Sequence, residues 1–179
     1  MPEVFPRYFS AEDLGQSLRE VASEMIKTSR RDVLSRWFHS AKDADLFIWS
    51  DLKHNIIKQQ LSFYGQVVEW NVIEGVKTGH VVVEEGRGLT RGSEFLNFDQ
   101  SPQIQAIEQA VLLLRHVPEL KNSERDQLAA NFRCLKASQN MPAEELVQRF
   151  GPWIGNLAGT PRLSLWNRLM ERVSRWFKG

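Results

Sequence analysis

The segment Asp45–Glu85, DLFIWSDLKHNIIKQQLSFYGQVVEWNVIEGVKTGHVVVEE, decides the fold, because apolar and aromatic residues arrive there in short bursts separated by turn residues. Leu46 and Ile48 fall on one side of an extended segment and Phe47 and Trp49 on the other, the pattern of a strand buried on both faces. Ser50–Asn55 is polar and turn-like. Ile56–Phe63 then alternates, with Ile57, Leu61 and Phe63 opposed to Lys58, Gln60 and Ser62, so the two runs read as a hairpin. Gly65 interrupts. Gln66–Ile73 next sets Val68, Trp70 and Val72 against Val67, Glu69 and Asn71, and Gly75–Gly79 separates that run from His80-Val81-Val82-Val83-Glu84. Connections this short join antiparallel neighbours, since a parallel crossover needs about a dozen residues. With Val33–His39 as an additional edge strand, an antiparallel meander of four to five strands is expected over residues 33–85.

On either side of this stretch the pattern turns helical. Ser10 is suited to cap a helix, Glu12 and Asp13 complement its positive end, and Lys27, Arg30 and Arg31 its negative end. Leu14, Leu18, Val21, Ala22, Met25 and Ile26 then form the stripe expected to lie on the sheet. Downstream, Ser101-Pro102 reads as a cap with proline behind it, followed by a stripe of Ile104, Ile107, Ala110, Val111, Leu114 and Val117 that ends at Pro118. Ser123 with Asp126 opens a helix reaching about Ser138, with Leu128, Phe132 and Leu135 facing inward. Pro142 opens a short one carrying Leu146, Val147 and Phe150. The expected class is therefore α+β, with an N-terminal helix and a C-terminal set of three to four helices on one face of the sheet. Residues 1–154 form a single domain in this reading, and 155–179 a linker and a last helix.

Composition limits the function classes. A chain of 179 residues with 42% hydrophobic content can bury a core as one domain. A net charge of +1 argues against a surface built throughout for a polyanion, and no nucleic acid is expected as partner. Cys134, the single cysteine, cannot form an internal disulfide, and the start Met1-Pro2-Glu3-Val4 lacks the basic and apolar regions of a signal peptide, so the cytoplasm is the expected location. No apolar run approaches the roughly 18 residues needed to span a bilayer.

Catalytic chemistry finds few residues to rest on. His39, His54, His80 and His116 are nowhere at the three-or-four spacing of a helical zinc site, which leaves only a cross-strand set of His39, His54 and His80. Asp43, Asp45 and Asp51 stand where an apolar strand occupies the place of a calcium loop. Trp37 and Phe38 beside Arg36 and His39 resemble a stacking platform, yet large aromatics next to a sheet belong in the core. Cys134 sits among Leu128, Phe132 and Leu135 as a partly buried thiol. No convergent catalytic constellation appears, so no enzyme activity, metal or cofactor is expected.

Glu85-Gly86-Arg87-Gly88-Leu89-Thr90-Arg91-Gly92-Ser93 combines three glycines with two arginines and is the best loop for an anionic ligand, with Arg87 and Arg91 as its guanidinium forks. The Arg-x-x-x-Arg spacing resembles the first signature of the cyclic-dinucleotide-binding PilZ domains. Asp99-Gln100-Ser101 supplies only half of their second signature, Ile104 stands in place of its glycine, and most expected strands precede the arginines. No function is carried over from that family.

The end of the chain is the other candidate. Gly155-Asn156-Leu157-Ala158-Gly159 makes a short linker and Thr160-Pro161 a helix start. Over Arg162–Phe177, Leu163, Leu165, Trp166, Leu169, Met170, Val173, Trp176 and Phe177 occupy an arc of roughly 160°, with Arg168, Arg172, Arg175 and Lys178 opposite. From Arg162 to Gly179 five basic residues face Glu171 alone, a local charge of +4. A basic amphipathic helix with two tryptophans suits a groove in a protein partner, self-association or an anionic membrane surface, the alternative being that it packs back on its own domain. The function expected is a non-enzymatic interaction or scaffold module joining an assembly through this helix, with partner contacts from Leu163, Trp166, Leu169, Met170, Val173, Trp176, Phe177, Arg168, Arg172 and Arg175. A sensor of an anionic metabolite or nucleotide at Arg87 and Arg91 is the alternative, and a peripheral membrane protein a weaker one.

Overall fold

A computed structural model describes residues 8–22, 33–84 and 93–134 together with Glu144 and Gln148, the side chains of residues 82–84 and 93–95 excepted. The described elements run α1 (Ala11–Ser17), β1 (Arg19–Glu20), β2 (Val33–Ser40), β3 (Ala44–Asp51), β4 (Ile56–Phe63), β5 (Gln66–Asn71), β6 (Gly75–Glu84), β7 (Ser93–Phe98), α2 (Ile104–Arg115) and α3 (Asn122–Phe132). All strands join one antiparallel sheet in sequence order, β1 to β7, so the protein is α+β with a simple meander.

The meander is longer than the four to five strands expected, because seven strands pair. One added strand, β7, and the first half of an expected one, β6, come from segments rich in turn residues. Gly75 and Gly79 bracket Val76-Lys77-Thr78 as if to end a strand, yet β6 begins at Gly75, whose φ of 79° closes the preceding turn. At Gly79 the absent side chain makes room for β7, since a Cβ there would lie 2.9 Å from the Phe98 Cα. β7 itself occupies residues 93–98, beyond the span 33–85 in which strands are expected.

The expected helix from Ser10 to Arg31 is also corrected. The Ser10 cap is present as a full capping box with Asp13, but α1 stops at Ser17 and Leu18 turns extended. The chain then pairs with the edge of β2, and the Val21 N–H donates to the Trp37 carbonyl. Residues 23–32 lie outside the described set, so Met25 and Ile26 are not placed.

Turn chemistry fixes the register. Tyr64 and Gly65 form a two-residue loop with φ of 49° and 71°, both left-handed, as a primed turn between right-twisted strands requires. That loop sets Phe63 against Gln66 and, counted outward, Gln60 against Glu69 and Lys58 against Asn71. Tyr64 also ties down the start of the chain: its hydroxyl donates to the Phe9 carbonyl at 2.9 Å and accepts from the Phe9 N–H.

α1, α2 and α3 lie on one face of the sheet. Phe38, Leu46, Leu61 and Val68 form one rung of that face, and Ile48, Gln59, Trp70 and Val76 the next. Against them pack Leu14, Ile107, Val111, Leu114, Leu128 and Phe132 in one continuous core. Gln59, wholly buried, donates to the Leu128 carbonyl at 2.8 Å and accepts from Asn131 at 2.9 Å, which binds α3 to the sheet through polar groups. α1 approaches α2 at Gly15, where a Cβ would overlap the Leu113 carbonyl oxygen.

The helical segments differ from expectation in detail. The N-cap of α2 is Gln103 rather than Ser101, and Ile104 is 74% exposed instead of facing the core. α3 starts after Lys121 and ends at Phe132, short of Ser138, and Cys134 follows it half-buried, its carbonyl accepting from Val76. Leu135 and the helix expected from Pro142 lie outside the described residues, apart from Glu144 and Gln148, which are helical and exposed. No helix among the described residues is long and apolar enough to cross a membrane.

Candidate functional site

The second face of the sheet, turned away from the three helices, holds the densest set of polar and aromatic groups. Strand alternation assigns its residues and the register arranges them in rungs. One rung is Ser35, Trp49, Lys58, Asn71 and Gly75; the next is Trp37, Phe47, Gln60, Glu69 and Lys77; the third is His39, Asp45, Ser62, Val67 and Gly79. Aromatic side chains gather on β2 and β3, charged and amide groups on β4 and β5.

On the aromatic side, Trp37 and Phe47 stack as a directly opposed pair with ring centroids 5.7 Å apart and an interplanar angle of 2°. Phe47 stacks in turn on Trp49, two residues on, at 5.7 Å. Lys58 places its ammonium 5.4 Å from the Trp49 ring centroid, close enough for a cation–π contact. The same ammonium lies 2.9 Å from the Glu69 carboxylate, the two side chains 3% and 4% exposed. Taking such a pair out of water is costly, and their mutual attraction offsets the cost only when geometry is close.

At the third rung, the Asp45 carboxylate accepts from the Trp37 indole N–H at 2.8 Å and holds His39 Nδ1 at 2.8 Å. The bond to Asp45 raises the His39 pKa above its ordinary value; burial opposes this and the charge of Asp45 adds to it. Asp51 acts in the β3–β4 turn, where its Oδ1 accepts from the N–H groups of Lys53 and Asn55.

Burial on this side departs from the expectation that only one face is covered. Trp37 is 1% exposed, Val67, Lys58, Gln60, Glu69 and Asn71 are also buried, and no described helix lies over them. Phe47, Asp51 and Lys58 each have a further interaction besides those above.

The candidate groupings weighed from the sequence are not brought together. His39 and His80 sit on opposite faces of the sheet and His54 in the β3–β4 turn, and among the described residues no three His, Cys, Asp or Glu side chains are placed to hold a metal ion. Trp37 and Phe38 are both core residues, on opposite faces. Arg87 and Arg91 lie outside the described residues, as do Leu163, Trp166, Arg168, Leu169, Met170, Arg172, Val173, Arg175, Trp176 and Phe177.

Sequence reasoning sets Lys58 and Gln60 on one side of their strand and Glu69 on one side of the next, without showing that Lys58 and Glu69 meet. The signal was the two-residue Tyr64-Gly65 loop, which fixes Gln60 opposite Glu69 and sets Lys58 diagonally beside it. The Asp45 cluster had no such signal, because it depends on a three-residue loop at Ala41–Asp43 with Asp43 at a φ of 64°.

Comparison with known proteins finds no family model, no curated protein and no solved structure that matches the chain.

Proposed function

We propose that the protein is a non-enzymatic interaction module that joins a larger assembly, the basic amphipathic helix of residues 162–177 being the joining element and the α+β body its support. What supports this reading is how the second face of the sheet uses its polar groups. Lys58 is bound to Glu69, and Asp45 to both Trp37 and His39. Asn71 is bound to Glu74 and to the backbone of Ile73. Groups that satisfy one another in this way specify a fold, whereas a reacting site holds donors or bases ready for a substrate.

The helix read from the sequence has an apolar flank carrying Trp166 and Trp176 beside a cationic one carrying Arg168, Arg172 and Arg175. Apolar area supplies affinity in such an element, and the cations bias it towards an anionic groove. The test is co-purification with tagged full-length chain, compared with a Trp166→Glu, Leu169→Glu, Val173→Glu variant. The expected result is loss of the co-purifying proteins from the variant. Retention of all of them would remove the reading.

A further inference from the structure

The two ends of the sheet are finished differently. At β1 the ladder ends in Arg19 and Glu20, both charged and exposed, with Glu20 held by Arg36 at 2.7 Å. At the other end β7 runs for six residues, Ser93-Glu94-Phe95-Leu96-Asn97-Phe98, and pairs on one side with β6. The Asp99 N–H donates to the Thr78 carbonyl, and the register makes His80 and Asn97 the next hydrogen-bonded pair. Phe98 between them and Leu96 beyond Asn97, the alternate residues, therefore turn their N–H and C=O groups away from the sheet. Among the described residues neither has a hydrogen-bond partner on that side. Asn97 is exposed and Phe98 is 37% exposed, with Lys77 lying 5.6 Å from the Phe98 ring centroid.

Edge strands of soluble proteins are ordinarily blunted by proline, by lysine or by extreme shortness, and β7 has none of these. We propose that the outer edge of β7 pairs antiparallel with β7 of a second copy of this chain, extending the sheet across a two-fold axis. The strand is its own complement in that arrangement, since an isologous interface needs one surface only. With the axis at Leu96, that residue meets its own copy and Glu94, the single charged residue of the strand, falls opposite Phe98 instead of opposite another carboxylate. A net charge of +1 leaves two copies with little mutual repulsion. One short strand pair is less than a standard interface, so the dimer forms with a strong dependence on concentration. The proposed contact uses residues 93–98 and none of residues 162–177.

Sedimentation velocity on the full chain over a concentration series tests it. The mass is expected to climb from 20.7 kDa towards twice that value. Leu96→Pro deletes an outward N–H while sparing the bonds to β6, and is expected to weaken the dimer by about tenfold or more, as two lost hydrogen bonds imply. Phe98→Lys places a charge at the same edge and gives the same result; it decides the matter alone if Leu96→Pro does not fold. Trp166→Glu with Leu169→Glu leaves the dimer intact. A monomer at every concentration, a dimer unaffected by the β7 substitutions, or one abolished by the helix substitutions would overturn the proposal.

Discussion

Lys58 and Glu69 lie 2.9 Å apart with almost no exposed surface, so each ion depends on the other for the loss of its hydration. Lys58→Met is expected to cost about 3–5 kcal/mol, because it leaves the Glu69 carboxylate buried without its cation. The double variant Lys58→Met, Glu69→Leu recovers most of that loss, an outcome read from denaturant unfolding of the single and double variants. His39 provides the pH-dependent counterpart. Its folded pKa is raised by the hydrogen bond to Asp45, so the stabilisation is complete below about 6.5 and is lost as pH rises through the folded value. Melting temperature measured against pH should fall over that window in the native chain, and the fall should flatten in Asp45→Asn, which keeps an acceptor for Trp37 but no charge for His39. Both clusters were only half legible from the residues. Period-two alternation showed which side chains share a face, but contact between strands depends on register, and register depends on the loops.

Elements were easiest to recognise where alternation and punctuation agreed. β3, β4 and β5 emerge directly from the apolar rhythm of residues 44–71, because Gly65 falls in the turn that ends one strand and starts the next. β6 was cut short and β7 overlooked because glycine has two uses: it breaks strands, and it lets two backbones approach closely, as Gly79 does beside β7. α1 was drawn too long because Val21 continues the helical stripe while its N–H pairs with Trp37 in the sheet. Tertiary pairing prevailed over local periodicity there. Two glycines separate close approach from backbone conformation. Gly15→Ala would put a Cβ 2.2 Å from the Leu113 carbonyl oxygen, forcing α1 off α2 at a cost of about 1–3 kcal/mol. Gly65→Ala meets open space and is penalised only by its φ of 71°, about 1–2 kcal/mol. Because the atoms met at Gly15 are the Leu113 carbonyl and the His116 Cβ, which alanine at 116 also carries, His116→Ala should not relieve the first loss, and thermal unfolding of Gly15→Ala with and without it checks this.

For the molecule as a whole, the sheet and the three described helices form a body in which Lys58 is bound to Glu69, and Asp45 to Trp37 and His39. Its α+β class was legible because the strands are contiguous in sequence and the helices follow them. Burial of the second face was not, since Lys58 and Glu69 stand opposite the apolar residues of their own strands and only the register shows that they pair. The proposed role requires that the apolar flank of residues 162–177 serve a partner and contribute little to the body. Unfolding free energy of the full chain compared with its Trp166→Glu, Leu169→Glu, Val173→Glu variant tests this directly. A difference within about 0.5 kcal/mol is predicted, as for surface substitutions. A loss of about 3 kcal/mol or more, the size expected when core aromatics and aliphatics are removed, would contradict it and place that flank in the protein's own interior.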